Sequence, residues 1–514
     1  MTLKHSITSG GKGHLLALLA GAVYPLGLAP LKLWPLIPLS LALLLLVLAG
    51  QSPRRAAWRG FLYGMGFNGV GVSWVYVSIH FYGNTPAWLA ALGTVLFCAF
   101  LSAVFFALPF WGYQKLRLER YPLLTFPALW VLLEWSKTWF LSGFPWLWAG
   151  YGLLDTPAAG LAPVAGALGL SLMVAVSAVL LYWIGQREFA HRLPAAIGLA
   201  VLWAGCWSLN SLSWTLPDLA QTREVVLVQG NIPQEQKWDP NYRRPIMDTY
   251  LSATRDNWDA DLILWPEAAY PVFYHQALST ITALDLEAEQ RDVAVISGVP
   301  RWEPGDRGED YYYNAVFVIG AGQGFYNKQK LVPFGEYVPL EDVLRGLLPF
   351  FNLPMSSFTA GAPEQPELVA KGLSFATYIC YEIVYPELVR RQARGKDFLI
   401  TISNDAWFGR SWGPLQHFQM ARMRALETGK YLLRGTNTGI TAIIDQRGRV
   451  QSMLPQFQRG VLKGTLYGTQ GVTPFVRFGQ WPVLGLSLIS LLVGIGLSLR
   501  PVPEQRVRPL YHRD

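Results

Sequence analysis

Apolar stretches long enough to cross a bilayer recur along this chain, at 13–30, 34–50, 60–79, 87–111, 122–142, 161–184, 194–214 and 480–499. About 20 helical residues span the hydrocarbon core of a bilayer. Inside it only a helix or a closed barrel can satisfy its own backbone groups. Eight spanning helices are therefore expected. The first two stretches are the shortest and carry Pro25, Pro35 and Pro38. The first also has the build of a signal peptide, with Lys4 and Lys12 ahead of a brief apolar core.

The loops between these stretches carry an orientation signal. Lys4 and Lys12, then Arg54, Arg55 and Arg59, then Lys115, Arg117 and Arg120, then Arg187 and Arg192, and finally Arg500, Arg506, Arg508 and Arg513 occupy every second connection. The alternate connections hold only Lys32, with no Lys or Arg in 80–86 or 143–160. Basic loops stay in the cytoplasm, so both termini are expected there and 215–479 on the outer side. The net charge of +8 is thus spent on topology, and nucleic acid is not an expected partner. Charged residues make up only 15% of the 514 residues, against about 25% in soluble proteins. The 21 Trp and 23 Tyr suit a chain with membrane–water interfaces. The expected division is a helical membrane domain over 1–215, an outer domain over 220–470, a last span at 480–499 and a cytoplasmic tail at 500–514. Glu134 and Lys137, one helical turn apart in the fifth stretch, read either as a mutual pair at the interface or as contacts for a polar substrate group.

From 220 onward the pattern changes. Short β-rich runs at 224–229, 261–265, 292–299, 313–319, 373–380, 397–403 and 440–445 alternate with helical patterns at 241–257, 276–290, 384–394 and 416–428. Near-continuous apolar strands separated by helices imply a sheet covered by helices. Several strands end beside Glu267, Cys380 or Asn404, and chemistry in such sheets gathers beyond strand ends.

Of the three cysteines, Cys98 and Cys206 lie in apolar runs and Cys380 stands alone in the polar domain. The spacing supports neither a disulfide framework nor a metal site. Alone, Cys380 reads as a small packing residue, Glu267 as a loop acid and Lys328 as an exposed base. Together they are the parts of an acyl-transfer site: a thiol nucleophile, a carboxylate to take its proton, and an ammonium for the oxyanion. His275 and His417 sit in no supporting motif, so a cysteine–histidine pairing is not expected.

The contexts of these three residues resemble the nitrilase, or carbon–nitrogen hydrolase, superfamily over roughly 220–470. With the spans included, the whole chain resembles the apolipoprotein N-acyltransferase family. The resemblance rests on Gln229-Gly230-Asn231-Ile232-Pro233, Lys237-Trp238, Trp265-Pro266-Glu267, Tyr326-Asn327-Lys328, the run Leu331–Glu336, Cys380-Tyr381-Glu382 and Ser403–Gly409. It implies an αββα sandwich beside the polytopic α-helical domain. It implies an enzyme of a bacterial inner membrane that takes an acyl chain from a phospholipid as a thioester on Cys380. The chain then passes to the N-terminal amine of a diacylglyceryl-cysteine apolipoprotein, with ping-pong kinetics. In this reading Glu267, Lys328 and Cys380 are catalytic, with Lys330 a fallback ammonium. Glu336 and Glu382 orient Lys328, and the backbone N–H of Tyr381 faces the oxyanion. Trp238, Trp407 and Phe408 line an acyl or headgroup pocket. No cofactor, metal or nucleotide is implied, and a monomer is expected.

The apolar stretch 340–360 has no clear period, and on a tethered domain it could lie on the bilayer as a mobile lid. Two rival functions share parts of the pattern. A membrane-anchored carbon–nitrogen hydrolase would use the same Glu–Lys–Cys set with water, although one span would suffice as its anchor. A transporter or assembly protein with an inert outer domain would need more intramembrane charge than the chain has.

Overall fold

The computed structural model describes residues 10–186, 189–305, 309–337 and 358–500. Lys4, Arg187, Arg506, Arg508, Arg513 and all but the last three residues of the expected lid lie outside them.

The N-terminal half is helical: α1 (Gly10–Val23), α2 (Leu36–Leu48), α3 (Pro53–Gly71), α4 (Ala87–Lys115), α5 (Pro122–Ser136), α6 (Pro157–Ile184) and α7 (His191–Ser211). Among the described residues, α4, α6, α7 and a C-terminal helix at Trp481–Ser498 are long and apolar enough to cross a membrane. The expectation of eight was drawn from apolar windows, and prolines and left-handed residues cut several of those windows short. Pro25 opens a tight turn at Tyr24–Gly27 that ends α1. Pro53 in the first turn starts α3 seven residues before the apolar run at 60–79. Leu141 and Ser142 adopt positive φ, so the fifth stretch leaves the helix after Ser136. Large apolar side chains face outward on α4 (Trp88, Leu92, Leu96), α7 (Leu193, Ile197, Val201) and the last helix (Ile489, Leu492), as a lipid-contacting surface requires.

Glu134 and Lys137 are both buried, but they do not bond to each other. Glu134 accepts from the Trp130 indole and the Ala149 amide, both at 2.8 Å, tying α5 to the segment that leads into α6. The Lys137 ammonium lies over the Phe67, Phe105 and Phe106 rings, 4.9 Å from the nearest centroid. Three aromatic faces take the place of the expected carboxylate.

The second half is built on strands β1 (Thr215–Gln229), β2 (Leu262–Leu264), β3 (Ala294–Pro304), β4 (Asp310–Gly320), β5 (Gly322–Asn327), β6 (Leu368–Ala370), β7 (Leu373–Ile379), β8 (Phe398–Ser403), β9 (Leu432–Thr436), β10 (Thr441–Ile444), β11 (Val450–Leu454) and β12 (Gly460–Gly471). They follow one another in the order β11-β10-β9-β8-β7-β6-β5-β4-β3-β2-β1-β12. Two parallel cores, β1-β2-β3 and β7-β8-β9, lie in its two halves. The sheet doubles over, so that Leu227, Leu264, Ile296 and Val316 share one core with Phe375, Ile400, Leu433 and Ile443. Each such side chain, fully withdrawn from water, contributes roughly 1.5–3 kcal/mol. Helices α8 (Arg243–Arg255) and α9 (Leu278–Gln290) cover one outer face through Ile246, Tyr250, Ile281 and Leu284. The opposite face carries α10 (Pro386–Ala393) and α11 (Gly413–Thr428). These are the αββα layers of the nitrilase-like fold. On that second face the layer does not end in solvent. Tyr378, Leu399 and the apolar residues of α11 belong to one continuous core with the membrane helices.

In the second half every strand and helix expected from the sequence is present. The five strands not anticipated are β5, β6, β9, β11 and β12. Glycines interrupt β5 and β12, β6 has three residues, β9 carries the buried Arg434, and β11 sits between turns.

Candidate active site

Glu267 follows β2 at a strand end fixed by aromatic packing. The fully buried Trp265 stacks against Tyr250 with 5.2 Å between centroids, and its indole donates to Thr254 Oγ1 at 2.9 Å. Gly298 on β3 lets the next turn approach: a Cβ there would lie 2.8 Å from Glu267 Cα and 2.7 Å from the Ala268 nitrogen. The Glu267 carboxylate is held from both sides. Oε1 accepts from Asn314 Nδ2 and Oε2 from the Asn404 amide, each at 2.7 Å.

Lys328 comes directly after β5 and is 1% exposed. Its Nζ donates to Glu336 Oε1 at 2.8 Å and stands 3.8 Å from Glu267 Oε1. Asn314 bridges the two acids, since Nδ2 also lies 3.1 Å from Glu336 Oε1. Burial alone would favour a neutral amine. The carboxylates of Glu336 and Glu267 and the nearby Cys380 outweigh it and keep Lys328 above the ordinary lysine range.

Cys380 is the first residue after β7 and has a φ of 53°. A non-glycine residue in this region is uncommon and strained, and it persists only where its surroundings enforce it. Here the enforcement comes from two sides. Glu382 accepts four donors: the Tyr326 hydroxyl and the amides of Gln329 and Lys330 on Oε1, and the Ile379 amide on Oε2. It thereby joins the cysteine turn to the lysine loop. Burial pushes the Glu382 carboxyl up to about 7, against the pull of those amides and Lys328. On the other side, His417 of α11 lies with Nε2 3.0 Å from the Cys380 carbonyl. Its Nδ1 faces Asp405 Oδ1 at 3.1 Å, and Arg434 binds Asp405 Oδ2 at 2.7 Å. Despite burial, Arg434 and His417 hold Asp405 well below the usual carboxylate range.

Burial, with Glu267 and Asp405, raises the Cys380 thiol far above its ordinary value, while Lys328 acts to lower it. This setting disfavours the thiolate, so a nucleophilic attack calls for a base at the moment of reaction. Lys237 is a further buried cation in the same field. Its Nζ donates to the Glu267 carbonyl at 2.9 Å, and burial pushes it down to about 8 although Glu267 and Cys380 act to raise it.

The cysteine turn sits on the membrane half. The Tyr381 hydroxyl donates to the Gly143 carbonyl at 2.9 Å and the Tyr385 hydroxyl to the Ser142 carbonyl at 3.0 Å. Trp146 stacks over both Tyr381 and His417. Gln416 accepts from the indoles of Trp74 and Trp146 and donates to the Gly71 carbonyl. Phe408 meets Trp74 edge-on at 4.8 Å, and Trp407 packs against Tyr82. Phe408 and Trp407 thus belong to the wall between the halves. Trp238 is half-buried directly after Lys237.

The structure therefore gathers Glu267, Lys328, Cys380, Glu336 and Glu382 in one cluster, in which Glu267, Lys328 and Glu382 are buried and Cys380 and Glu336 are partly exposed, with Tyr381 on its membrane side. Glu382 supports Lys328 less directly than expected, through the amides of the loop that carries it. No role at the site was expected for Asn314, Lys237, Asp405, His417 or Arg434. Lys237 and Asp405 lie within the motifs Lys237-Trp238 and Ser403–Gly409, but nothing local to His417 or Arg434 marks them. The described residues contain no cluster of three or more His, Cys, Asp or Glu side chains suited to a metal.

Residues 20–180 match the apolipoprotein N-acyltransferase N-terminal domain, and residues 224–469 match the carbon–nitrogen hydrolase family. The chain is 48% identical over 500 residues to the apolipoprotein N-acyltransferase of Pseudomonas aeruginosa (strain LESB58), covering 96% of this chain and 97% of that protein. It is 49% identical to that of Azotobacter vinelandii, covering 94% of each. An amidase from Nesterenkonia sp. of known structure aligns with a TM-score of 0.36 at 17% identity, over 52% of this chain and 97% of that one.

Proposed function

This chain belongs to the apolipoprotein N-acyltransferase family, and from that premise we propose that it moves a fatty acyl chain from a membrane phospholipid to the N-terminal amine of a diacylglyceryl-cysteine apolipoprotein. Glu267 takes the proton as the Cys380 sulfur attacks the phospholipid ester carbonyl. The carbonyl electrons collect on oxygen, opposite the Lys328 ammonium. Collapse expels a lysophospholipid alkoxide, which takes the proton back from Glu267 and leaves a thioester on Cys380. The α-amine of the lipoprotein then attacks the thioester and gives its proton to Glu267. The amide forms and the sulfur leaves as a thiol. Glu336 keeps Lys328 charged and aimed, and Glu382 holds the lysine loop against the cysteine turn. Trp238, Trp407 and Phe408 flank the substrate channel.

The observation that supports this reading best is geometric: Lys328 Nζ stands 3.8 Å from Glu267 Oε1, and Glu382 ties the lysine loop to the cysteine turn, which is itself bonded to the helical half. A thioester survives only where water is kept away, and such packing suits a donor that arrives from lipid. The topology that fits is a bacterial inner membrane crossed eight times. The catalytic half is periplasmic and both termini are cytoplasmic. One chain supplies every group the reaction needs, so a monomer suffices.

The test is turnover by the full-length protein in phospholipid nanodiscs with a diacylglyceryl-cysteine peptide. Triacylated peptide should form, and Glu267→Gln, Lys328→Met and Cys380→Ala should each lower the rate by roughly 100-fold or more. Free fatty acid as the main product, with acceptor present, would instead mark a hydrolase.

A further inference from the structure

A second cavity, of about 480 Å³, opens where α7 hands over to β1, and its lining includes none of Glu267, Lys328 or Cys380. Its two sides differ in chemistry. One is apolar and aromatic: Leu209 ends the membrane-spanning α7, and Leu212 and Trp214 follow it, 48% and 36% exposed. The other is cationic: Arg447 and Arg449 flank Gly448 in the turn between β10 and β11, and Arg422 enters from α11. Arg422 is committed, because Asp155 takes its guanidinium and also binds Lys32. Among the described residues no carboxylate pairs with the Arg447 or Arg449 side chain. The Arg447 guanidinium donates to the Ser213 hydroxyl, and Asp445 spends one carboxylate oxygen on the backbone amides of both residues. Gln446 precedes Arg447 in the same lining, and its Oε1 accepts no hydrogen bond among the described residues. A buried carbonyl oxygen without a donor is costly, and a rotation of the side chain toward the cavity would let a ligand O–H or N–H group satisfy it.

We propose that this cavity is a second phospholipid site, separate from the reaction centre. It takes the phosphate of a glycerophospholipid at Arg447 and Arg449, a hydroxyl or ammonium of its headgroup at Gln446, and the first carbons of its acyl chains along Leu212 and Trp214. A phosphate requires cationic donors of this kind. An aromatic residue just beyond the end of a span marks the depth at which headgroups lie, and basic side chains there attract anionic lipid. Asp155 and the Arg422 guanidinium form a fixed floor to the site. A bound lipid would fasten the end of α7 to the β10–β11 turn, and so the catalytic half to the membrane surface.

The experiment uses full-length Cys380→Ala protein in nanodiscs with a phosphatidylglycerol that carries a photoreactive diazirine near its glycerol, followed by peptide mapping. Label is expected on 209–215 or 446–449. The double variant Arg447→Glu/Arg449→Glu should lower it about tenfold, the loss of one charge-assisted contact, while label near residue 380 stays the same. Gln446→Glu, of nearly unchanged shape, should lower it too, and all three substitutions should leave acyl transfer intact when Cys380 is present. Equal labelling by a diacylglycerol probe without phosphate would overturn the proposal. So would label indifferent to both variants. Displacement of the label by millimolar inorganic phosphate would assign the cavity to the free ion and overturn the lipid reading.

Discussion

His417 Nε2 lies 3.0 Å from the carbonyl oxygen of Cys380, so the histidine of this site grips the backbone of the nucleophile. The grip is backed by Asp405 and Arg434, all of it buried. It holds a cysteine whose φ of 53° would relax if released. His417 is thus a positioning residue. His417→Ala should slow thioester formation roughly 10- to 100-fold, the equivalent of 1.5–3 kcal/mol for a hydrogen bond to a charged network. The KM for phospholipid should not change, because the imidazole is buried away from any incoming substrate. Single-turnover kinetics check this, and a loss confined to KM would contradict it.

Lys237 should leave a signature in the pH dependence of stability. An unfolded lysine keeps its proton to about 10.5, whereas burial lets the folded one release it near 8. Between these values the unfolded chain binds more protons, so the folded state gains stability as pH rises. The melting temperature of the protein in detergent, relative to Lys237→Met, should therefore climb from about pH 8 to 10.5. A difference that stays flat across that window would contradict a lysine that burial makes release its proton early.

Tyr381 and Tyr385 share one partner. Both hydroxyls reach the Gly143 carbonyl, Tyr381 at 2.9 Å and Tyr385 at 3.3 Å. After Tyr385→Phe the Tyr381 proton stays on that oxygen, and after Tyr381→Phe the Tyr385 proton, otherwise given to the Ser142 carbonyl, can turn to it, so either single change should cost about 1 kcal/mol or less. The double variant leaves it buried and bare, so its cost should exceed the sum by roughly 1 kcal/mol. Thermal unfolding of the four proteins measures the coupling, and simple additivity would show that Gly143 finds another donor.

Much of this arrangement was legible beforehand, because the reactive residues follow strands whose apolar runs are easy to see. Glu267 and Cys380 follow β2 and β7, and the alternation of strands and helices pointed to a sheet covered by helices, while the αββα layering came from the family resemblance. What stayed hidden depends on contacts between distant segments. Asn314 lies mid-strand, and its role exists only because Glu267 and Glu336 arrive on either side of it. His417 and Arg434 lie in apolar contexts that read as core, and only the packing of α11 between sheet and membrane helices brings them behind Cys380. Helix ends in the membrane half were misjudged for a local reason: hydropathy windows do not register that Leu141 and Ser142 turn left-handed.

The central claim is that the sulfur of Cys380 carries the acyl chain between donor and acceptor. Intact-protein mass spectrometry after incubation with phospholipid alone measures it directly. The account predicts one added acyl mass, mapped to Cys380, absent from Cys380→Ala and discharged when a diacylglyceryl-cysteine peptide is supplied. An unmodified Cys380 in protein that nonetheless acylates the peptide would contradict it.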